Sequence, residues 1–309
     1  MVLLDTGAPF HLEATVRVLQ RRPTNAVDVW DDDRYLRLFK LPQGLALAEV
    51  RDRGTVGKPR VGLSIKAGNT SAAARAAART LLRRILGLDI DPAPLQRSAE
   101  AEPASYITCR ALRGMRPPRF ATLFEAFASV VPFQQLSLDA GTAIVARLVT
   151  RFGAYLEHEG RRFHAFPTAR QVAHARLDSL RACGLSRQKA LTLREVARVI
   201  ESGALRETEV DSLSTPAALA KLSELPGIGP WSAGLILLRG LGRLEVFPSG
   251  DVGAARGLRK LMRLDSRAAL APIIERFGRY RGYLYFCGLG GSLLEKGLIH
   301  PAPGRTSKR

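Results

Sequence analysis

Two glycines separated by a single residue, Gly227 and Gly229, lie between two stretches whose apolar residues recur at helical spacing. Glycine adopts positive φ at no steric cost, so this pair can close a tight hairpin between two helices. Because neither glycine carries a side chain, an anion can also approach the backbone closely. The stretch 225–233 (Leu-Pro-Gly-Ile-Gly-Pro-Trp-Ser-Ala) therefore predicts either an ordinary turn or a hairpin that binds phosphate through backbone N–H groups and the next helix start.

The hairpin belongs to a long region of helical apolar spacing that begins near residue 105. Two of the predicted helices have clear end signals. In the helix over residues 187–200, Ser186 is the predicted N-cap and Gly203 the residue that ends the helix. In the helix over residues 216–222, Thr215 is the predicted N-cap and Pro216 the first helical residue. The predicted helices cover residues 121–130, 133–152, 187–200, 216–222, 231–238, 252–262 and 280–294.

The first hundred residues show a different pattern. A helix is predicted over residues 71–88, where Leu81, Leu82, Ile85 and Leu86 form one stripe, and the prolines that follow end it. The polar stretch 98–104 is interpreted as a linker. Apolar residues alternate, as in strands, over residues 10–19, 35–40, 44–51 and 60–66.

These patterns predict two domains, in keeping with a length of 309 residues. An α+β amino-terminal domain with its linker covers residues 1–104, and an all-α domain covers residues 105–309. The chain is long enough to bury a substantial core without disulfides.

The chain is strongly basic: 47 Lys and Arg face 28 Asp and Glu, giving a formal charge of +19. Such a charge fits a polyanionic partner such as nucleic acid, or an arginine-rich solvated surface. The sequence shows no apolar run of membrane-spanning length and no signal-peptide layout, so we expect a cytoplasmic protein with no membrane partner. Cys109, Cys183 and Cys287 are too far apart for a CxxC zinc pair or a four-cysteine cluster, so no metal is expected.

The stretch 225–233 resembles the hairpin of the helix-hairpin-helix DNA glycosylases, in particular their 3-methyladenine DNA glycosylase II branch. Residues 246–253 (Val-Phe-Pro-Ser-Gly-Asp-Val-Gly) are similar to that family's loop with the essential aspartate, and Asp251 lies 22 residues after Gly229. Residues 133–137, 183–190 and 280–283 also match.

The resemblance implies a fold and a partner. The amino-terminal domain should be a small antiparallel sheet with a packed helix, followed by a helix-hairpin-helix glycosylase domain. The expected partner is damaged double-stranded DNA, bound by a monomer that is nucleoid-associated if the protein is bacterial. No cofactor is implied, apart from a monovalent or divalent cation that the hairpin could hold when DNA is bound. The hairpin residues expected to grip a phosphate are Leu225, Gly227, Ile228 and Gly229.

Asp251 is the residue that the resemblance identifies as catalytic. Its position before a helical stripe also predicts a simple N-cap, and both roles can coexist because a helix start favours an ionised carboxylate. Cleavage of an N-glycosidic bond builds positive charge on the sugar, which a nearby carboxylate can stabilise, or the carboxylate can activate the attacking water. Asp251 suits either part.

Bifunctional members of the superfamily carry a lysine two residues after the second hairpin glycine, where its amine attacks the sugar. This chain has Trp231 at that position, so base removal without lyase activity is expected. The closest lysines, Lys221 and Lys260, are interpreted as surface charges or phosphate contacts.

Four side chains are candidates for the base pocket. Trp231, Tyr280 and Tyr283 could stack on an extruded, electron-poor base, although core packing is the simpler reading of each aromatic residue taken alone. Tyr280 stands where the best-known relative has tryptophan, and Leu235 stands where it has tyrosine, which makes this pocket less aromatic.

A base-flipping enzyme must fill the gap left in the duplex. Leu136 is the candidate wedge and Gln135 the candidate contact to the gap or the opposite strand, although a leucine in an apolar helix is more often a core residue.

The sequence thus predicts a monofunctional DNA glycosylase for alkylated purines such as 3-methyladenine, acting by base flipping in base excision repair. Two alternatives remain. One is a glycosylase for oxidised or deaminated bases, and the other is a non-catalytic helix-hairpin-helix DNA-binding protein, which would not need a carboxylate at Asp251.

Overall fold

A five-stranded antiparallel sheet forms the amino-terminal layer of the structure, a computed structural model that describes residues 2–248 and 250–302. The strands are β1 (Val2–Leu3), β2 (Val29–Asp31), β3 (Arg34–Leu41), β4 (Gly44–Asp52) and β5 (Val61–Gly68), arranged in the order β1-β5-β4-β3-β2. The strands predicted at residues 35–40, 44–51 and 60–66 are confirmed, as is the antiparallel sheet.

A helix covers one face of this sheet. Helix α2 (Ala72–Ile85) buries Ala74, Ala78, Leu82 and Ile85 in the same cluster as apolar residues of β3, β4 and β5. Its N-cap is Ser71, whose hydroxyl accepts a hydrogen bond from the N–H of Ala74. The helix predicted over residues 71–88 is therefore confirmed at its amino end, and it ends three residues earlier than predicted.

The prediction of a strand over residues 10–19 is wrong, because these residues form helix α1 (Leu12–Gln20). The helix lies between two cores. Leu12, Val16 and Leu19 pack with the sheet cluster, whereas Ala14 and Val18 pack with the cluster of the helical domain. Two apolar stripes with helical spacing, offset by two residues, produce the same alternation along the sequence as a strand.

The region between the two predicted domains is also more ordered than the sequence suggests. Helix α3 (Pro92–Glu100) begins after Asp91, whose carboxylate accepts a hydrogen bond from the N–H of Ala93, and α4 (Tyr106–Ala111) follows. The stretch 98–104, interpreted as a linker, therefore starts within a helix. Proline at the first turn of α3 is compatible with a helix start, which explains why residues 91–94 do not continue as a loop.

All seven predicted helical stripes lie on helices, although their ends differ by a few residues. Helix α11 begins one residue before the expected start, and its cap is Ser214 rather than Thr215. The caps predicted for the preceding long helix are confirmed: the Ser186 hydroxyl accepts from Lys189, and Gly203 follows its last turn at φ 77°. The helices are α5 (Leu123–Ala128), α6 (Leu138–Phe152), α7 (Ala169–Ala173), α8 (Leu177–Arg181), α9 (Arg187–Glu201), α10 (Glu207–Ser212), α11 (Thr215–Ser223), α12 (Pro230–Ile236), α13 (Val252–Leu261), α14 (Ala271–Arg276) and α15 (Tyr283–Glu295).

A second, small sheet was not predicted. Strands β6 (Tyr155–His158) and β7 (Arg161–His164) form a hairpin that buries Phe163 and Ala165 against Val29 and Leu36, on a cluster separate from the one beneath α2. Most of its other residues are at least partly exposed, so the hairpin carries too few apolar positions to show a strand pattern.

Within the described ranges, no helix has both the length and the apolar character needed to cross a membrane. The carboxyl end of the predicted second domain, residues 303–309, lies outside the described residues, as does Ser249 in the aspartate loop.

Candidate active site

The Gly227–Gly229 turn joins α11 to α12 as the sequence predicts, and the two glycines have different tasks. Gly227 has φ 79°, and a Cβ at this position would collide with the hydroxyl of Thr192. Gly229 has an ordinary φ of −89°, and a Cβ there would meet no described atom within 4 Å. Gly227 is therefore required by the turn itself, whereas Gly229 leaves open space above the backbone.

The hairpin presents unused donors to solvent. The N–H groups of Gly227 and Gly229 make no hydrogen bond within the described part of the chain, and both residues are exposed. Ile228, between them, is 2% exposed and donates its N–H to the carbonyl of Leu225 at 3.0 Å. A buried side chain thus anchors a turn whose neighbouring amides remain free for an anion.

Asp251 is the N-cap of α13, as its position in the sequence predicts. Its Oδ1 accepts from the N–H of Ala254 at 2.7 Å, and its Oδ2 accepts from the indole N–H of Trp231 at 3.1 Å. Trp231 is in the first turn of α12, so the indole connects the hairpin helix to the aspartate loop. Both carboxylate oxygens are held in fixed directions at a half-buried position.

A cleft of about 870 Å³ opens beside Asp251 and brings most of the predicted residues together. It is large enough for an extruded nucleotide and part of its neighbours. The predicted site residues that line it are Asp251, Trp231, Leu235, Gln135, Leu136, Gly227 and Gly229.

The other predicted residues lie outside the cleft. Leu225 and Ile228 support the hairpin from below. Tyr280 is in a short 3-10 helix, and Tyr283 is 4% exposed with its hydroxyl donating to the carbonyl of Met115 at 3.1 Å. The cleft is lined instead by Tyr285, because residues two positions apart on a helix point to opposite sides. The sequence match located this stretch but not the helix face that lines the cleft.

Leu136 and Gln135 stand at the edge of the cleft in the loop before α6. Leu136 is 45% exposed although it is a large apolar residue, and Gln135 has φ 54°, a conformation that is uncommon outside glycine. The alternative of a buried core leucine does not describe Leu136. Its exposure beside the cleft fits a side chain that is free to enter another molecule.

Two side chains that were not given roles in the sequence analysis hold this loop in place. Gln134 donates through Nε2 to the carbonyl of Gly227 at 2.8 Å and to the hydroxyl of Ser232 at 2.9 Å. Lys189 donates through Nζ to the carbonyls of Pro132 and Gln134, at 3.1 and 2.5 Å. Burial lowers the pKa of the Lys189 ammonium. Both residues occur in stretches that match the glycosylase family, which is the signal that could have identified them.

The amino-terminal domain also contributes to the cleft, which no motif indicates. Arg21 follows α1 with φ 61°, lines the cleft and donates to the hydroxyl of Tyr285.

Arg239 of the helical domain lines the same cleft, although it is only 2% exposed. Burial and the charge of Arg21 lower the pKa of Arg239 to about 9, so its guanidinium remains protonated at neutral pH.

In residues 2–248 and 250–302, no cluster of three or more His, Cys, Asp or Glu side chains could hold a metal ion. The chemistry available within the cleft is that of one fixed carboxylate, cationic and aromatic side chains, and free backbone amides.

The sheet domain, the glycine hairpin and the capped aspartate together define a two-domain helix-hairpin-helix protein. A family model described as HhH-GPD superfamily base excision DNA repair protein matches residues 128–277, and a model of the AlkA N-terminal domain matches residues 2–122. Residues 128–277 thus belong to the HhH-GPD superfamily of base excision DNA repair proteins, and residues 2–122 form an AlkA-type amino-terminal domain.

Individual relatives agree with this assignment. A probable bifunctional transcriptional activator/DNA repair enzyme AlkA of Mycobacterium tuberculosis is 28% identical over 281 residues, which cover 91% of this chain and 54% of that relative. DNA-3-methyladenine glycosylase 2 of Escherichia coli is 25% identical over 259 residues, 81% of this chain and 84% of that protein. The chain thus spans about half the length of the M. tuberculosis relative.

A solved structure shows the same architecture across both domains. The 3-methyladenine DNA glycosylase from Archaeoglobus fulgidus aligns with a TM-score of 0.78 at 26% identity, over 94% of this chain and 97% of that one.

Proposed function

We propose that this protein is a monofunctional DNA glycosylase that hydrolyses the N-glycosidic bond of alkylated purines, of the 3-methyladenine type, in duplex DNA. One observation supports it above the others: Asp251 is fixed through both oxygens at the edge of a nucleotide-sized cleft beside a hairpin with free amides. A non-catalytic binding module would need the hairpin but not this carboxylate. The names of the relatives point to the same substrates.

Asp251 would act on the sugar and not on the leaving base. Each carboxylate oxygen already accepts one hydrogen bond, and each retains a further acceptor position for the reaction centre. In that position the carboxylate can stabilise the oxocarbenium-like transition state or take the proton of the attacking water. An alkylated purine carries a positive charge and leaves readily, so no general acid on the base is needed.

DNA would lie across the mouth of the cleft. The free amides of Gly227 and Gly229 would bind one phosphate of the lesion strand, with the net positive charge adding sequence-independent affinity. Leu136 would fill the gap left by the extruded nucleotide and Gln135 would contact the gap or the opposite strand. The cleft beside Asp251 is formed by a single chain, which suits a monomer that repairs damaged double-stranded DNA, in the nucleoid if the source is bacterial.

The absence of lyase activity is proposed from the positions of the lysines. Trp231 occupies the position of the attacking lysine, and the amine that lines the cleft, Lys189, already donates to two carbonyls. Lys221 is paired with Glu209 and Lys260 with Glu295. None of these amines is placed to form a Schiff base with the sugar.

The test compares the wild-type protein with Asp251→Asn on duplex DNA that contains N3-methyladenine and N7-methylguanine. Asparagine is an equally good N-cap, so the variant should fold and bind DNA normally while base release falls by about a hundredfold or more. Released bases are measured by chromatography, and strand breaks before and after alkali. Wild-type release with breaks only after alkali is expected. Equal release by both proteins would exclude Asp251 as the catalytic group, and breaks before alkali would exclude a monofunctional enzyme.

A further inference from the structure

Residues 133–136, here called the wedge loop, form a tight turn that leads into α6. Gln134 has φ −52° and ψ 122°, and Gln135 has φ 54°. The N–H of Leu136 donates to the carbonyl of Phe133 at 3.2 Å. These are the angles and the hydrogen bond of a type II β-turn. The third residue of such a turn needs positive φ and is usually glycine, so glutamine at this position carries a conformational cost.

The ammonium group of Lys189 contacts the peptide group that distinguishes this turn from its common alternative. A type I turn over the same residues would leave Gln135 at an ordinary negative φ, and the two types differ mainly in the rotation of their central peptide. The carbonyl of that peptide belongs to Gln134 and accepts from Lys189 at 2.5 Å, while the carbonyl of Pro132 accepts from the same ammonium at 3.1 Å. A hydrogen bond from a charged donor is stronger than one between neutral groups, so Lys189 favours the type II form despite the cost at Gln135.

The side chain of Gln134 fixes the wedge loop to the glycine hairpin. Its Nε2 donates to the carbonyl of Gly227 at 2.8 Å and to the hydroxyl of Ser232, a residue that is 2% exposed, at 2.9 Å. The peptide that supplies the Gly227 carbonyl also donates its N–H, that of Ile228, to the carbonyl of Leu225. Gly227 therefore holds the wedge loop through its carbonyl and offers its own exposed N–H to an anion.

Helix α9 contacts both the wedge loop and the hairpin. Lys189 is in the first turn of α9, and Thr192 follows three residues later on the same face. A Cβ at Gly227 would collide with the Thr192 hydroxyl, which shows how closely this helix approaches the hairpin. The wedge loop and the hairpin are thus joined directly through Gln134 and indirectly through α9.

We propose that Lys189 and Gln134 are positioning residues for base flipping, which hold Leu136 and Gln135 at a fixed distance from the phosphate bound by the hairpin. The inference rests on the proposed function and adds two residues that act through the wedge. The phosphate contact sets the register of the protein on the duplex, and the fixed turn then places the wedge at one nucleotide position. Because the turn is held before DNA binds, insertion of Leu136 costs less conformational entropy than insertion of a mobile loop would.

The test compares binding to two duplexes by fluorescence anisotropy at fixed salt. One duplex is undamaged, and the other carries a single tetrahydrofuran abasic site, which presents a gap for the wedge but no base to extrude or release. Discrimination is the dissociation constant for the undamaged duplex divided by that for the abasic duplex. We expect the wild-type protein to discriminate by about tenfold or more, and Leu136→Ala to lower this value by about fivefold or more, because a leucine is buried in the gap.

Lys189→Met and Gln134→Met each remove a donor and keep a long side chain. Each should lower discrimination by about fivefold or more. A general loss of positive charge weakens binding to both duplexes and cancels in the ratio, and retained binding to the undamaged duplex shows that a variant is folded. Adding Leu136→Ala to either variant should lower discrimination no further, because both residues act through the wedge. The matched controls are Lys40→Met, at the exposed end of β3, and Gln43→Met, in the exposed turn after it, which should keep the wild-type discrimination.

A second substitution tests the turn itself. Asparagine adopts positive φ more readily than glutamine and keeps the amide, so Gln135→Asn should raise the discrimination of Lys189→Met by about threefold or more. The same change should not restore Gln134→Met, in which Lys189 still holds the turn. Equal discrimination by Lys189→Met with and without Gln135→Asn would overturn the role of Lys189 in fixing the turn.

A wild-type discrimination of one, or one unchanged in both Lys189→Met and Gln134→Met, overturns the proposed positioning role. Additive losses when Leu136→Ala is combined with either variant would overturn it as well. Release of N3-methyladenine from methylated DNA is measured in parallel. If that base is released while neither variant changes discrimination, the positioning role alone is wrong. If no base is released but discrimination depends on Lys189 and Leu136, the positioning role stands and the proposed catalysis is wrong.

Discussion

The indole of Trp231 serves the site in two ways at the scale of a single residue. Its ring lines the cleft, where a base could stack, and its N–H donates to Asp251. Under the proposed monofunctional activity, this position holds no amine nucleophile and instead supplies a donor that orients the carboxylate of Asp251. Under the proposed function, Trp231 would act through Asp251 as well as on the base.

Replacing Trp231 with Phe should separate these two contributions. Phe keeps an aromatic face but loses the hydrogen bond to Asp251, which is worth about 1.5–3 kcal/mol for a charged acceptor, so the single-turnover rate of base release should fall by about tenfold or more. Trp30→Phe is the matched control, since Trp30 is in β2 beside Arg17 and is not among the residues that line the cleft. Base release by Trp231→Phe at the wild-type rate would show that the indole N–H has no part in positioning Asp251.

At the scale of the element, the hairpin shows that two glycines in one motif need not be equivalent. Position 227 requires glycine because its φ is positive and a Cβ there would collide with Thr192. At position 229, glycine leaves open space above an exposed amide. The sequence predicts the turn, but both glycines look alike in it. The distinction becomes visible only when α9, which carries Thr192, is packed beneath the hairpin.

Alanine at the two glycines should therefore give opposite results. Gly227→Ala should lower the free energy of unfolding by about 1–3 kcal/mol, because alanine is strained at positive φ and meets Thr192. Gly229→Ala should change stability by less than about 0.5 kcal/mol but weaken binding to undamaged duplex DNA about five- to tenfold, since its methyl group stands where a phosphate would approach. Urea denaturation and fluorescence anisotropy measure the two effects. Equal DNA affinity for Gly229→Ala and the wild type would exclude a phosphate at this amide.

Helix α1 carries a pH-dependent cap. His11 is 7% exposed; its Nδ1 accepts from the N–H of Ala14 at 3.3 Å, and its Nε2 bonds the carbonyl of His300 at 2.9 Å. The two bonds can exist together only in the neutral ring with its hydrogen on Nε2, and protonation at Nδ1 would remove the cap while the bond to His300 remains. Burial is the main reason why the pKa of His11 lies below its ordinary value of 6.5.

The stability of the protein should consequently decrease as the pH falls below about 6.5. In that range the unfolded chain binds a proton at His11 that the folded chain excludes, and the loss ends once the folded state is protonated as well. His11→Asn retains a capping side chain and should flatten this decline, whereas exposed His174→Asn should not. Burial also lowers the pKa of His164, so part of the slope should remain. Thermal unfolding between pH 7.5 and 5 measures the effect, and identical slopes for wild type and His11→Asn would contradict it.

At the scale of the whole molecule, a buried ion network joins the sheet to the helical domain. Arg37 of β3 donates to Asp28 at 2.6 Å and to both oxygens of Glu125 in α5, at 2.8 and 2.6 Å. Tyr35 donates to the same oxygen of Asp28 at 2.7 Å. Burial raises the pKa of Glu125, and the Arg37 guanidinium opposes that shift. The position of Arg21 in the cleft depends on how these two domains are held together.

Removing the arginine should destabilise the whole fold. Arg37→Met leaves two buried carboxylates without their shared cation and should lower the free energy of unfolding by about 3–5 kcal/mol. Glu125→Gln should cost less, because the remaining pair of Arg37 and Asp28 is balanced in charge. Arg162→Met, which breaks an exposed pair with Glu157, is the control and should change stability by less than about 0.5 kcal/mol. An Arg37→Met variant as stable as Arg162→Met would show that the network does not join the domains.

The sequence alone determined those features that depend on neighbouring residues. Helical spacing located every long helix of the second domain, and alternation located the three long strands. The glycine turn and the aspartate loop could be recognised because each is a continuous stretch of fewer than ten residues. Asp251, Trp231 and Leu136 could be selected as candidates because each lies in a short stretch that resembles the glycosylase family. The alternation over residues 10–19 led to a wrong prediction of a strand, because helix α1 is buried on two sides.

Which side chains share the cleft depends on how the helices pack in three dimensions. Arg21 and Tyr285 are 264 residues apart in sequence, so no local pattern relates them, and their contact exists because α1 packs against α15. The same packing turns Tyr283 into the core and Tyr285 towards the cleft. Helical periodicity shows that one face of a helix is buried, but it does not show which element packs against that face. That element is determined by contacts between residues distant in sequence, and those contacts bring the charged and hydrogen-bonding side chains of the cleft together.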